Sequence, residues 1–307
     1  MVRIGHTVLG DKGTKICVPI VGTTMKEILD ATAVACNTPC HVVELRIDYY
    51  ERAHSIDSII ELLMLIKPQL KGRALLFTWR TKGEGGEKSI STKDYFTMLE
   101  RLIPTGLVDA IDIELFFDQD RMLKTIEFAK VHGVTIVMSN HDFHGTPSHE
   151  VIVNRLIQMK KFLADVPKMA VMPHTTGDVL TLLEATAEVK ALYPSDPIIT
   201  MAMGPLGTVT RAAGALFGNA MTFASAGKAS APGQIDVHEL KRILDTLDVD
   251  GVFIDGLCMN VECATEDIGE ADDIIDLVGI IASSGAHQYV RAAGNGIVIG
   301  DFRYRIG

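Results

Sequence analysis

Between Lys15 and residue 252, short β-branched apolar runs alternate with longer amphipathic stretches about eight times, and this rhythm limits the chain more than any other feature. The runs are KICVPIVG, HVVELRID, ALLFTWR, AIDIELF, TIVMSNH, PKMAVMP, PIITMAMG and AMTFAS. Their nearly continuous apolarity is that of parallel strands covered on both faces. Helices are predicted at about Thr24–Cys36, Ser55–Lys67, Thr92–Leu102, Gln119–Val131, Ser148–Phe162 and Gly177–Ala191, with two more from near Val209 and over Val237–Leu247. Ile59, Ile60, Leu62, Leu63 and Ile66 show the spacing of a buried helix face. Eight βα units predict an α/β fold, a (β/α)8 TIM barrel. An open doubly wound sheet is disfavoured because PIVGTTM, after the first strand, lacks a glycine-rich phosphate turn.

Residues 2–10 alternate weakly and end in Gly10, Asp11, Lys12 and Gly13, so a short N-terminal hairpin or lid is expected. The barrel, read as the catalytic domain, takes residues 1–252. Residues 253–307 are an extra C-terminal segment of unknown role, with an acidic run at 262–273, a helix-like pattern at 272–283 and strand-like alternation at 296–306.

Composition narrows the partners. In 307 residues, 47% are hydrophobic and 22% charged, which suits one large globular domain. A formal charge of −10 argues against nucleic acid or an anionic membrane surface as partner, though a few arginines can still reverse the field in a cleft. No run reaches the ~18 to 20 apolar residues of a membrane span, and a cytoplasmic location is the default. The cysteines Cys17, Cys36, Cys40, Cys258 and Cys263 are odd in number and read as reduced thiols, and Cys36 and Cys40 have no second pair to complete a zinc site. No metal is assigned.

In such a barrel, chemistry gathers at the C-terminal ends of the strands. There the sequence offers Glu44, Arg46 and Asp48 on one face of the second strand, then Arg80 running into the glycine-rich loop 81–86 with Glu84. Asp112 and Glu114, His141 and His144, Lys168, Met201 and Met203, Arg211 and the loop KASAPGQ at 228–234 follow. Arg46, Arg80 and Arg211 suggest recognition of a carboxylate by bidentate hydrogen bonds. Lys168, in a lumen expected to be cationic, is read as an amine nucleophile toward a ketone, with His141 as the base for the adjacent C–H. That chemistry is elimination or aldol cleavage. Asp48, Asp112 and Glu114 are read as hydrogen-bonded lumen residues and His144 as a supporting residue. For Met201, Met203, Phe143 and Phe223, packing and substrate contact stay equally open. Loops 81–86 and 228–234 are expected to move as lids.

The segments ELRID (44–48), FTWRTKGEGG (77–86), DIELF (112–116), SNHDFHGTP (139–147), PKMAVMP (167–173), ITMAMGPLGTVTR (199–211) and KASAPGQ (228–234) together resemble one family. It is the type I 3-dehydroquinate dehydratases, Schiff-base lyases of the shikimate pathway, and the resemblance covers nearly all of residues 1–250. It implies that Lys168 forms an imine with the C3 ketone and that His141 takes a C2 proton, then protonates the departing C1 hydroxyl. It further implies that Glu84 orients the histidine, that Arg211, Ser230 and Gln234 hold the substrate carboxylate, and that Glu44, Arg46 and Arg80 hold ring hydroxyls. No metal or organic cofactor is implied, and a homodimer is. The competing readings are a class I aldolase-type barrel and a catalytically silent barrel that binds a carboxylate.

Overall fold

The computed structural model describes residues 1–11, 13–227 and 230–247, with the backbone of three short strands between residues 290 and 305. The expected N-terminal hairpin is present as antiparallel strands β1 (Val2–Ile4) and β2 (Thr7–Leu9). Eight parallel strands follow: β3 (Lys15–Ile20), β4 (Val42–Arg46), β5 (Ala74–Thr78), β6 (Ala110–Glu114), β7 (Thr135–Asp142), β8 (Val166–Val171), β9 (Ile199–Ala202) and β10 (Met221–Ser225). They pair in sequence order from β3 to β9, and β10 pairs back onto β3. Between β9 and β10 the ring closes by a single parallel bridge, Ile198 to Asn219, where Ala220 N–H donates to the Ile198 carbonyl at 2.9 Å. The chain folds as a (β/α)8 barrel. A two-residue strand not foreseen in the sequence, β11 (Ile235–Asp236), extends the sheet beside β10 and anchors the far end of the loop that follows it.

Helices α1 (Met25–Ala35), α2 (Ile56–Ile66), α3 (Thr92–Leu102), α4 (Gln119–Val131), α5 (His149–Lys161), α6 (Thr176–Leu192), α7 (Thr208–Ala213) and α8 (Val237–Leu247) occupy the predicted stretches. Their starts are written locally. Thr24 with Glu27, and Thr175 with Asp178, form reciprocal capping boxes at α1 and α6, satisfying N–H groups that a helix cannot pair internally. Helix α2 buries Ile59, Leu62, Leu63 and Ile66 and leaves Ile60 half-buried.

Strand alternation sorts the core into two clusters. Ile16, Val18, Val43, Leu45, Phe77, Ile111, Ile113, Met138 and Met169 point outward to the helices, while Cys17, Val42, Leu76, Ala110, Val137, Val166, Ile199 and Met221 fill the barrel from within. Ile4 and Leu9 of the hairpin, both fully buried, belong to the inner cluster. Thr135 Oγ1 donates to the Arg3 carbonyl and Thr7 Oγ1 to the His41 carbonyl, both at strand starts. The hairpin therefore plugs the N-terminal end of the barrel and is no lid over the polar end. The expectation of a lid fails because its apolar side chains need the dry lumen.

The chain divides into compact units Met1–Val249 and Asp250–Gly307. In the second, β12 (Val290–Ala292), β13 (Gly296–Ile299) and β14 (Phe302–Arg305) form an antiparallel sheet, so the alternating stretch 296–306 is two paired strands where one was expected. The acidic run at 262–273, the helix-like pattern at 272–283, Cys258 and Cys263 lie outside the described residues. Among the described residues no helix is long and apolar enough to cross a membrane.

Because the plug sits at the end opposite the polar mouth, Leu9→Ala should lower unfolding free energy by about 2 to 5 kcal/mol, the range for emptying a buried leucine site. Urea unfolding checks this, with activity per folded molecule expected to stay within twofold of the parent.

Candidate active site

The upper lumen is charged where the lower is apolar. Continuing the inward alternation of each strand past its apolar half brings Glu44 and Arg46 (β4), Arg80 after β5, Asp112 and Glu114 (β6), Ser139 and His141 (β7) and Lys168 (β8) into the mouth. All are buried but His141, whose side chain is 12% exposed. Buried charges must be paired to be tolerated, and here they are paired closely. Arg80 donates to Asp112 at 2.9 Å and to Glu114 and Ser139 at 2.8 and 2.9 Å. Burial opposes the charge on Asp112, yet Arg80 and Lys168 hold its carboxyl below the usual range. Arg46 makes a bidentate pair with Asp48, both contacts 2.9 Å, and this outweighs burial to keep its guanidinium firmly charged.

Lys168 Nζ lies 3.2 Å from Asp112 Oδ2, 3.4 Å from Glu44 Oε1 and 4.6 Å from the centre of the Phe223 ring. The lumen is therefore not the cationic one expected around this lysine. Its nearest charged neighbours are carboxylates, and Arg80 reaches it only through Asp112.

His141 projects from the adjacent strand, with Ala170 as its register partner on β8. Its Nδ1 is 2.9 Å from Glu84 Oε2, which also accepts the His141 backbone N–H at 2.9 Å, while Asn140 Nδ2 donates to Glu84 Oε1 at 3.1 Å. Burial, then Arg80, Lys168 and Arg46, push the imidazole well below its ordinary value, so it stands neutral. Burial pushes the Glu84 carboxyl up to about 8 against the pull of Arg80. Carboxyl and ring titrate as one unit. Its basic form has Glu84 ionised and the ring proton on Nδ1, which leaves the Nε2 lone pair free.

The loop 81–86 that carries Glu84, expected to move as a lid, is tied to the barrel mouth by hydrogen bonds. Thr81 gives its N–H and Oγ1 to Glu114 at 2.8 and 2.7 Å, and Lys82–Glu84 form one 3-10 turn. Gly85 turns at φ +82 against the Phe143 ring, where an added Cβ would come within 2.4 Å. At Gly86 a Cβ would strike the Arg80 carbonyl at 1.9 Å, so this close turn needs both glycines. Lys82 is exposed.

A cavity of about 170 Å³, space for one small substituted ring, opens between these groups. Lys168, His141, Glu84, Glu44, Arg46, Arg80, Arg211, Ser230 and Gln234 all line it, as do Phe143, Met201, Met203 and Phe223. Ser230 and Gln234 exchange two hydrogen bonds of 3.0 and 3.1 Å, and Lys228 and Ala229 of the same loop lie outside the described residues. His144 is exposed and does not line the cavity. Asp112 reads from the sequence as a hydrogen-bonded lumen residue and Asn140, just before the histidine, as a residue that tunes the base; their contacts to Lys168 and Glu84 were not foreseen. Asp112 was legible from the inward alternation of β6, whereas the Asn140 contact depends on a loop from another part of the chain.

Arg211 is the exception to the pairing. It is 1% exposed, makes only long contacts of 3.4 to 3.5 Å to Met201 Sδ and the carbonyls of Phe223 and Pro232, and leaves Nε without a partner. Burial lowers its guanidinium to about 10. A buried cation with spare donors on a cavity wall is a site for an anion.

A family model described as type I 3-dehydroquinase matches residues 16–250. A 3-dehydroquinate dehydratase of Bacillus licheniformis is 46% identical over 247 residues, covering 80% of this chain and 97% of the relative. One of Clostridium novyi is 43% identical over 246 residues, with the same coverage of 80% and 97%. The crystal structure of type I 3-dehydroquinate dehydratase from Clostridium difficile with covalent modified comenic acid matches with a TM-score of 0.78 at 41% identity, covering 80% of this chain and 97% of that one.

Two outcomes follow from the geometry. Arg211→Lys should raise KM by about ten- to a hundredfold, since a hydrogen bond to a charged group is worth about 1.5 to 3 kcal/mol and an ammonium cannot reproduce the fork. Steady-state kinetics check it, and an unchanged KM refutes the anion role. In the parent, kcat/KM should fall as pH drops through the titration of the Glu84–His141 pair, because protonation removes the basic form. Glu84→Gln, which cannot titrate and no longer stabilises the imidazolium, should move that acid limb to lower pH with a lower plateau, as read from a pH series of kcat/KM.

Proposed function

The chain belongs to the type I 3-dehydroquinase family, and on that footing we propose that it dehydrates 3-dehydroquinate to 3-dehydroshikimate through an imine on Lys168, with His141 moving the proton. The observation that carries this reading is the placement of Lys168 and the Glu84-backed His141 on adjacent strands around one cavity. The covalent acid named with the Clostridium difficile relative is in keeping with it.

The steps use groups already placed. The Lys168 ammonium gives a proton to Asp112 or Glu44, 3.2 and 3.4 Å away, and the amine attacks the C3 carbonyl carbon. The C3 oxygen takes one proton from the attacking nitrogen and the one held on that carboxyl, the C3–O bond breaks, and water leaves to form an iminium. Its positive charge acidifies C2–H, and His141 Nε2 takes that proton while the C–H electron pair moves into the C2–C3 bond as an enamine. The enamine then expels the C1 hydroxyl, the C1–O bond breaks, and the imidazolium returns its proton to the leaving oxygen as water. Hydrolysis of the conjugated iminium frees the product and Lys168. Glu84 supports the histidine through the cycle: its Oε2 accepts the His141 backbone N–H, and when ionised it holds the ring proton on Nδ1.

Arg211, with Ser230 and Gln234, takes the substrate carboxylate, the anion that its spare donors call for. Glu44, Arg46 and Arg80 meet the ring hydroxyls. The reading needs no metal or organic cofactor, and it includes a homodimer, on the strength of the family resemblance, and the cytoplasmic location taken as the default from the sequence. The barrel of residues 1–252 is its catalytic domain. An aldolase-type barrel would use the same imine but yield two carbonyl fragments, and a silent carboxylate binder is set aside by membership of an enzyme family.

Borohydride reduction in the presence of 3-dehydroquinate, followed by digestion and mass spectrometry, should find the reduced adduct on the peptide containing Lys168, and an unmodified peptide refutes the imine. Lys168→Ala should lower kcat by roughly 10⁴-fold or more, followed by the ultraviolet absorbance of the conjugated enone.

A further inference from the structure

The histidine is held by Glu84, and Glu84 is in turn held by something outside the cavity. Asn140 precedes His141 on β7, and strand alternation turns it away from the lumen toward the helix layer. It is 4% exposed. On one side its Nδ2 donates to Glu84 Oε1 at 3.1 Å, and on the other its Oδ1 accepts from Arg155 Nη1 at 3.0 Å. Arg155 stands on α5, its side chain 25% exposed, with its guanidinium 5.5 Å from the Phe116 ring centre and 3.8 Å from Asp142 Oδ2.

The chemistry of this chain of contacts has only one direction. A guanidinium can donate and cannot accept, so the amide oxygen of Asn140 must face Arg155. The amide nitrogen must then face Glu84. Oε1 of Glu84 therefore meets a donor, Asn140 Nδ2, and Oε2 meets the His141 backbone N–H and, in the basic form of the pair, the Nδ1 proton. A proton on Oε1 would point at the Asn140 amide hydrogens, so a neutral Glu84 has to carry its proton on Oε2 toward His141 Nδ1, with the ring proton then on Nε2 and the base lost. A flipped Asn140 would instead offer its oxygen to Glu84, accept a carboxyl proton from it and favour the neutral acid. With Glu84 neutral, the proton needed at Nδ1 is no longer required by a carboxylate, and the Nε2 lone pair is no longer guaranteed.

Building on the reading of His141 as the base, we propose that Asn140 and Arg155 are positioning residues: Arg155 fixes the Asn140 amide so that it donates to Glu84, which favours the ionised form of Glu84 and with it the basic tautomer of His141. The other charged groups facing this pair are Arg80, 3.5 Å from Glu84, with Glu114 and Asp112 behind it, and Arg80, Lys168 and Arg46 around the ring. None of them can set the orientation of an amide on the outer side of β7. Asp142 faces Arg155 and balances its charge.

The test is the pH dependence of kcat/KM in Arg155→Met, Arg155→Lys and Asn140→Ala, with borohydride trapping of the Lys168 adduct measured beside it. Removing the donor to Glu84 makes its protonation easier, so the basic form is lost at higher pH. Arg155→Met and Asn140→Ala should shift the acid limb upward by about one pH unit, equivalent to about a tenfold loss below the limb. They should approach parental activity at alkaline pH and keep KM within about twofold. Arg155→Lys, which still only donates, should restore most of the parental profile. Trapping should proceed in all three. Since Arg155 is partly exposed, its variants remain informative should Asn140→Ala fold poorly. An unshifted limb in Arg155→Met, a loss by the same factor at every pH, or no rescue by Arg155→Lys overturns the proposal while leaving the imine intact. Absence of trapping in the parent itself would instead overturn the imine reading beneath it.

Discussion

Asp112 is the contact on which the barrel mouth depends. Fully buried, it takes Arg80 at 2.9 Å, Lys168 at 3.2 Å and Ser139 Oγ at 2.6 Å, tying β6 to β7, β8 and the end of β5 at the level where the lumen turns from apolar to charged. Charges in such a place are tolerated only when every one is opposed. Asp112 meets that need for two cations at once, and it leaves the lysine amine facing the cavity beside His141 rather than paired away from it. Arg80, shared between Asp112, Glu114 and Glu84, extends the same network to the loop that carries Glu84.

The two ends of the barrel are built on opposite terms. At the N-terminal end Ile4 and Leu9 close the lumen with apolar contacts and make it a dry, rigid base. At the C-terminal end the polar groups hold each other in place, and loop 81–86 is tied into them through Glu114 and Arg80. Rigidity matters here because proton transfer needs nitrogen and carbon within hydrogen-bond reach at the moment of reaction. A wall that held Glu84 loosely would leave the ring free to choose either tautomer. Arg211 departs from this self-sufficiency. Its unpaired Nε and long contacts leave it under-satisfied until an anion arrives, which places an unmet electrostatic demand among the described residues where a substrate carboxylate would answer it.

What the sequence by itself determined is whatever depends on periodicity and local chemistry. Eight βα units, the helix limits at Thr92–Leu102 and Gln119–Val131, the capping residues Thr24 and Thr175, and the inward set Glu44, Arg46, Asp112, Lys168 all follow from alternation and from caps, which act over a few residues. The convergence of nine lining residues on one cavity was legible too, because a closed barrel brings every strand end to one rim. The tertiary structure alone decided which charge faces which. Lys168 reads from the sequence as a lysine among arginines; its true neighbours, Asp112 and Glu44, lie 56 and 124 residues away in the chain. The pinned loop, the plug and the link from Arg155 through Asn140 to Glu84 have the same character. Each depends on distances between elements distant in sequence, set by barrel closure and helix packing, and no local pattern encodes them.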